Sequence, residues 1–234
     1  MITIAGVYNT SLIDYPKKIC TSVFLRGCNF YCGFCHNPEL VKKSLFNNKF
    51  TISQKKLLAF LQKRKGLIDA VCISGGEPTI NIDLPEFIKK IKDIGYLIKL
   101  DTNGTNPKML EKLIDQKLIN YIAMDIKCPL NKYERISNKK TDIKNIQKSI
   151  NIIKNSELNY EFRTTAIPNL LDKNDFIIIG KMLKNAKKFV LQQFRPGKTL
   201  DQTFRQIIPF NEKTLRQFAT IMKKYVNNVE IRGI

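Results

Sequence analysis

The chain has 234 residues, 43% of them hydrophobic, with 40 Lys and Arg against 20 Asp and Glu, a formal net charge of +20. That composition excludes a disordered chain and suits one α/β unit with a sizeable core, and no apolar run approaches the roughly 20 residues a membrane span needs. The basic excess is scattered in small groups such as Lys42-Lys43, Lys89-Lys90 and Lys187-Lys188, with no aromatic-interleaved stripe, so it reads as solvated helix faces and not as a nucleic-acid footprint. The start, Met1-Ile2-Thr3-Ile4-Ala5-Gly6, has neither a basic n-region nor a cleavable apolar stretch, which argues against secretion. Six cysteines, three of them between Cys28 and Cys35, point to metal or redox chemistry in a reducing cytoplasm and not to a disulfide framework.

In chain order, residues 1–18 are expected to cap the fold and residues 19–25 to form the first strand. A helix at 53–64 follows from the spacing of Leu57, Leu58 and Leu61. The strand at 70–74 runs into Gly75-Gly76-Glu77-Pro78, and the helix at 84–94 shows Phe87, Ile88 and Ile91 on one face. Next come a strand at 97–101 ending in Thr102-Asn103-Gly104, a helix at 107–116 opened by Pro107, and a strand at 121–126 carrying Asp125. A helix at 142–154 precedes the strand at 160–165, which holds Arg163. The Asp172 to Asp175 cluster starts a helix at 173–183, the strand at 189–193 ends in Gln192-Gln193, and a helix at 211–226 leads to a last strand at 229–231. This alternation predicts a parallel sheet with crossover helices. Six βα units are too few for a closed eight-stranded barrel, so the expected fold is α/β, an open partial (β/α)6 barrel formed by a single domain over 1–234. Each distinctive motif follows or ends a strand, which places all of them at the carboxyl-end face where barrel enzymes carry their sites.

The chemistry centres on Arg26-Gly27-Cys28-Asn29-Phe30-Tyr31-Cys32-Gly33-Phe34-Cys35-His36-Asn37-Pro38. Thiolates are soft ligands suited to iron–sulfur clusters. Three of them hold three irons of a cubane and leave the fourth free to chelate the amino and carboxylate groups of a substrate. Zinc on Cys28, Cys32, Cys35 and His36, in a non-enzymatic basic module, is the alternative. It suffers from the adjacency of Cys35 and His36 and the lack of a second Cys-x2-Cys pair. Cys20, Cys72 and Cys128 are isolated and read as small buried hydrophobes. With no further cysteines between Cys35 and Gly75, one cluster is expected. His36 is the single histidine, which weakens any hydrolase reading built on a histidine base.

The Cys-x3-Cys-x2-Cys loop with Phe34 before its third cysteine resembles the signature of radical S-adenosylmethionine enzymes. His36-Asn37-Pro38-Glu39 resembles the branch that activates glycyl radical enzymes. Ser11 to Pro16, Ser74-Gly75-Gly76-Glu77-Pro78, Asp101-Thr102-Asn103-Gly104, Asp125-Ile126-Lys127 and Gln192-Gln193-Phe194-Arg195-Pro196 follow the order of the longer anaerobic ribonucleoside-triphosphate reductase activating proteins.

The resemblance implies one [4Fe–4S] cluster on Cys28, Cys32 and Cys35, with S-adenosylmethionine beside it. Gly75, Gly76 and Glu77 would receive the methionyl ammonium, Phe34 and His36 would flank the adenine, and Arg163 would meet the carboxylate or ribose. Asp101, Thr102, Asn103, Asp125, Lys127 and Gln192 would complete the cofactor contacts. In pyruvate formate-lyase activating enzymes, positions matching Asp101, Thr102, Ala123 and Asp125 bind a monovalent cation, which implies the same here. Those enzymes also carry a late histidine and an Asp-Gly-Pro-Gly-Ile-Arg stretch. This chain has Gln192 or Gln193 and Asp14-Tyr15-Pro16-Lys17-Lys18-Ile19 instead, leaving Asp14 as the candidate for gripping substrate. The implied partners are a glycyl radical enzyme and a flavodoxin or ferredoxin-type electron donor. A small-molecule enzyme like 7-carboxy-7-deazaguanine synthase is the rival within the superfamily, although that group reads Cys-Asp-Thr where this chain has Cys35-His36-Asn37.

Overall fold

Alternation between β-branched runs and amphipathic stretches resolves into one eight-stranded sheet in a computed structural model that describes residues 2–45, 47 and 51–234. The strands are β1 (Ile4–Ser11), β2 (Cys20–Leu25), β3 (Ala70–Gly75), β4 (Leu97–Thr102), β5 (Tyr121–Asp125), β6 (Asn159–Ala166), β7 (Phe189–Gln193) and β8 (Val229–Arg232). They lie in sequence order, with β2 to β8 parallel and β1 antiparallel to β2. The helices are α1 (Pro38–Val41), α2 (Gln54–Lys63), α3 (Leu84–Asp93), α4 (Pro107–Asp115), α5 (Tyr133–Ser137), α6 (Ile143–Asn155), α7 (Lys173–Met182) and α8 (Glu212–Met222). Six βα units closed by β8 make the open partial (β/α)6 barrel that the alternation predicts. Among the described residues no helix is long and apolar enough to cross a membrane.

Helix starts follow local chemistry. Ser53, Asn106, Asp142 and Asn211 each accept a hydrogen bond from a first-turn amide, and Asp172 with Asp175 forms a full capping box. The last helix stops at Met222, four residues before the expected end, because the Asn227 amide is drawn to the Ala186 carbonyl at 3.0 Å and the chain turns.

The sheet has two unlike faces. Val23, Val71, Ile73, Leu100, Ile122, Phe162 and Leu191 point outward and pack in one apolar cluster with helix residues such as Leu61, Phe87, Leu110, Ile150, Ile179 and Met222. Alternate residues of the same strands point inward, and these are mostly polar or charged. Glu161, fully buried, receives Arg232 Nη1 and Nη2 at 2.8 Å each and the Tyr121 hydroxyl at 3.1 Å. The two arginine bonds hold its carboxyl below the ordinary range, outweighing the burial that pushes it up.

The cap expected over residues 1–18 divides into two parts. Residues 4–11 contribute β1, which pairs the open edge of β2. The turn after it inserts Tyr15 among Cys20, Ala70, Cys72 and Tyr121, with the two tyrosine rings 5.6 Å apart. Cys20, Ala70 and Tyr121 are the first residues of their strands, so Tyr15 plugs the amino end of the barrel, opposite the motifs.

Candidate active site

Residues 26–37 leave the carboxyl end of β2 as a loop fastened from below. The Gly76 amide donates to the Leu25 carbonyl at 2.9 Å and the Glu77 amide to the Gly27 carbonyl at 2.8 Å. A Cβ on Gly76 would collide with the Gly27 carbonyl, and Gly75, at φ +115°, lies against the Leu25 backbone. Both glycines are needed because the cysteine loop crosses this turn at backbone contact.

A segment after β7 fastens the loop from above. The amides of Leu200 and Asp201 donate to the carbonyls of Cys35 and Gly33, each at 2.9 Å. Phe204 packs on Gly33 and Phe34. His36 stacks on Phe194, and its Nε2–H donates to the Arg195 carbonyl at 2.9 Å.

The loop and the strand ends enclose a cleft of about 240 Å³. Cys28, Cys32 and Cys35 line it together with Phe34, His36, Gly75, Gly76, Glu77, Asp101, Thr102, Asn103, Asp125, Lys127 and Arg163. All six cysteines are free of disulfides. Burial pushes the Cys28 thiol up to about 12 and Cys32 up to about 11, with Cys35 raised in the same way. Among the described residues no three His, Cys, Asp or Glu side chains converge on a point that would hold a single metal ion. Three thiols on one loop around one cleft suit a cubane, which binds each to a separate iron.

Asp101 and Asp125 face inward from the ends of β4 and β5, and protein cations already occupy both. Arg163 Nε meets Asp125 at 2.8 Å and its Nη1 meets Asp101 at 3.3 Å. Lys127 pairs with Asp125 at 3.0 Å, Lys99 pairs closely with Asp101, and the Ser74 hydroxyl donates to Asp101 at 3.0 Å. Arg163 is the main influence holding Asp101 and Asp125 below the carboxylate range against the opposing effect of burial. Three cations on two carboxylates leave a surplus positive charge beside the cleft, at the residues where the resemblance implies a monovalent cation. Ala123 sits beside Asp101 in register, within the sheet.

Glu77 lines the cleft and is also a structural tie. Its fully buried carboxylate accepts from the Thr79 amide and hydroxyl, the Thr102 hydroxyl and the Asn103 amide at 2.5 to 3.0 Å. Burial nonetheless raises its pKa above the usual value. These four donors use the side chain to tie the turn after β3 to the turn after β4. Asn103 extends the tie by donating to Asn29 Oδ1 at 2.9 Å.

Two implied residues stand apart from the cleft. Gln192 lies opposite Thr165 in the β6–β7 register, and Thr165 is the one that lines the cleft. Asp14 accepts the Ser22 hydroxyl at 2.5 Å and interacts with Cys20 and Cys72 near the Tyr15 plug. Sequence reasoning misses Thr165 and Lys99, though each lies two positions along a strand from a residue it identifies, Arg163 and Asp101, and so shares that residue's face.

The profile of the Radical SAM superfamily matches residues 22–177, from β2 into α7. The chain belongs to the radical SAM superfamily. A Methanocaldococcus jannaschii protein with the provisional name glycyl-radical enzyme activating enzyme is 38% identical over 99% of this chain and 96% of its own length. A second protein of that organism, under the same name, is 31% identical over 75% of this chain and 66% of its own. In fold, the chain resembles Streptococcus suis SuiB, with a TM-score of 0.66 at 15% identity over 91% of this chain and 48% of that one. The likeness thus spans about half of SuiB. Radical SAM enzymes use a [4Fe–4S] cluster and S-adenosylmethionine, and the donors present fit both. Three soft thiols share one cleft, and beside them lie carboxylates, cations, backbone carbonyls and an aromatic ring.

Proposed function

We propose that this chain activates a glycyl radical enzyme, and that its partner is an anaerobic ribonucleoside-triphosphate reductase. The observation that carries the reading is the relative with an activating-enzyme name, because the match runs end to end through both chains and not only through the cysteine loop. Cys28, Cys32 and Cys35 hold the cluster. The surplus charge of Lys127 and Arg163 receives the cofactor's carboxylate, while the Gly75–Gly76 backbone receives its ammonium. Phe34 and the backbone of His36 flank the adenine. When bound, the cluster and S-adenosylmethionine would supply one-electron cleavage chemistry that ends in hydrogen-atom abstraction from a glycine Cα of the partner.

The residues of this chain contribute orientation and dryness. Cys32 and Phe34 are buried, and Phe204 packs on Phe34, so one wall of the cleft is apolar and poorly solvated. The open side of the partial barrel gives a partner's glycine loop an approach that a closed barrel would deny. The test is an anaerobic reaction of the reconstituted protein with S-adenosylmethionine, a chemical reductant and the reductase of the same genome. A glycine-centred doublet in the electron paramagnetic resonance spectrum is expected. Its absence with a competent reductase, together with turnover of a small pterin-like substrate, would overturn the reading.

A further inference from the structure

All four oxygens of the two carboxylates at the mouth are met by protein donors, and one of those donors comes from below. Lys99 meets Asp101 Oδ1, while the Ser74 hydroxyl and Arg163 Nη1 share Asp101 Oδ2. Arg163 Nε meets Asp125 Oδ1, and Lys127 meets Asp125 Oδ2. Asp101, Asp125, Lys127 and Arg163 line the cleft. Lys99 lies beneath them, two residues before Asp101 on β4, in a cross-strand row with Cys72 of β3 and Tyr121 of β5. It is 2% exposed, its Nζ is 3.7 Å from the Cys72 sulfur, and the Tyr15 ring packed on Tyr121 closes the barrel under the row.

A buried ion pair contributes little stability beyond what apolar side chains of like size would give. What the site gains from Lys99 is therefore its charge. Without it the mouth would hold two cations, Lys127 and Arg163, on two carboxylates, and the surplus that meets the cofactor's carboxylate would vanish. Lys99 also decides where Arg163 lies. Because the ammonium satisfies one oxygen of Asp101, the guanidinium makes only a long contact to the other, 3.3 Å, and a short one to Asp125, 2.8 Å, nearer the mouth.

The oxygens to which the resemblance assigns a monovalent metal ion are the same ones. A hard ion needs free oxygen ligands. Asp101 and Asp125 are engaged as above, and the Thr102 hydroxyl donates to Glu77 at 2.8 Å.

We infer that Lys99 is a positioning residue for the cofactor, and that its tethered ammonium takes the place of a monovalent metal ion at Asp101. It never touches the cofactor. It acts through Asp101, keeping one positive charge in excess at the mouth and Arg163 turned toward Asp125. The inference rests on the placement of the cofactor's carboxylate proposed above and not on the identity of the partner enzyme.

The test is equilibrium binding to the reconstituted protein with its cluster left oxidised, so that no cofactor is cleaved. The buffer contains tetramethylammonium in place of Na⁺ and K⁺. The two probes are S-adenosylmethionine and its decarboxylated form, and the proteins are the parent, Lys99→Met, and Lys99→Met with Asp101→Asn. The single variant is expected to bind S-adenosylmethionine about tenfold more weakly than the parent, and the decarboxylated form within about twofold of it. The double variant again has one cation in excess and should recover to within about threefold of the parent. Added K⁺ should tighten the single variant, whose Asp101 oxygen is freed, and leave the parent unchanged.

An equal loss for both probes would overturn the inference, since Lys99 would then act on the fold alone. So would a single variant that binds like the parent, a double variant as weak as the single one, or a parent that is itself tightened by K⁺. Should the single variant not fold, the double variant and the parent's response to K⁺ still decide the matter. A parent that binds the two probes equally would sink the carboxylate placement and the inference with it.

Discussion

The outer and inner faces of the same strands meet opposite demands. Outside, Ile73, Leu100, Ile122 and Phe162 pack against helices with no directional bonds. Inside, Lys99, Asp101, Asp125, Arg163, Glu161 and Arg232 are held by specific partners on the same strand or up to two strands away. A residue on the outer face contributes through volume and burial and tolerates chemical substitution of like size. A residue on the inner face contributes through its partner, and losing one strands the other in a poorly solvated site.

The largest expected effect sharpens the contrast at the mouth. Replacing Cys28, Cys32 or Cys35 with alanine should each abolish cofactor cleavage and the brown colour of the reconstituted protein. Cys72→Ala, on the inner face but away from the cleft, should keep both. Iron and sulfide analysis with a cleavage assay checks this.

A core truncation tests the outer face. Phe87 is 1% exposed in the helix layer, and Phe87→Ala should cost about 3–5 kcal/mol of stability. Denaturant titration of the metal-free protein should show a loss that hardly changes between pH 4 and 8.

The inner face should behave differently. Arg232→Met leaves Glu161 with the Tyr121 hydroxyl and Lys188 at 3.5 Å, and the cost should be about 2–3 kcal/mol at neutral pH, less than the loss of an isolated buried pair. Glu161 has a lowered pKa in the fold. Its pairing therefore adds stability above the unfolded value of about 4.3, and that contribution fades as the pH falls through the lower folded value. The gap between parent and variant should narrow in acid, in contrast to Phe87→Ala. A gap independent of pH would mean that Arg232 acts through packing alone.

The smallest effect concerns ions. With Lys99, Lys127 and Arg163 seated on Asp101 and Asp125, replacing Na⁺ and K⁺ by tetramethylammonium at constant ionic strength should leave cofactor cleavage unchanged. A marked loss restored by K⁺ would show that the carboxylates exchange partners when cofactor is present.

These contrasts also explain what the sequence made legible. Leu57, Leu58 and Leu61 and the capping residues announce helices because their signals lie within a turn or two of chain. The motifs after β2, β3 and β4 could be placed at one mouth because a parallel sheet sends every strand end to the same side. The partner of a charge was not legible. That Asp101 and Asp125 belong to Arg163 depends on registers between strands 38 to 62 residues apart in sequence. Nor were the donors to Glu77 legible, since they include Thr102 at the end of the next strand and Asn103 just after it. β1 was missed because its alternation is broken by Gly6 and by a register shift between Tyr8 and Ser11.

The fastening of the cysteine loop bears on how the enzyme matures. The loop is clamped between the glycine turn below and the Leu200–Phe204 segment above by bonds that involve no thiol sulfur. A zinc finger must fold around its metal, whereas the bonds that shape this loop come from backbone amides, backbone carbonyls and Phe204, groups that ligate no iron. Assembly of a cluster on the three thiols is therefore chemically separate from the bonds that give the loop its path.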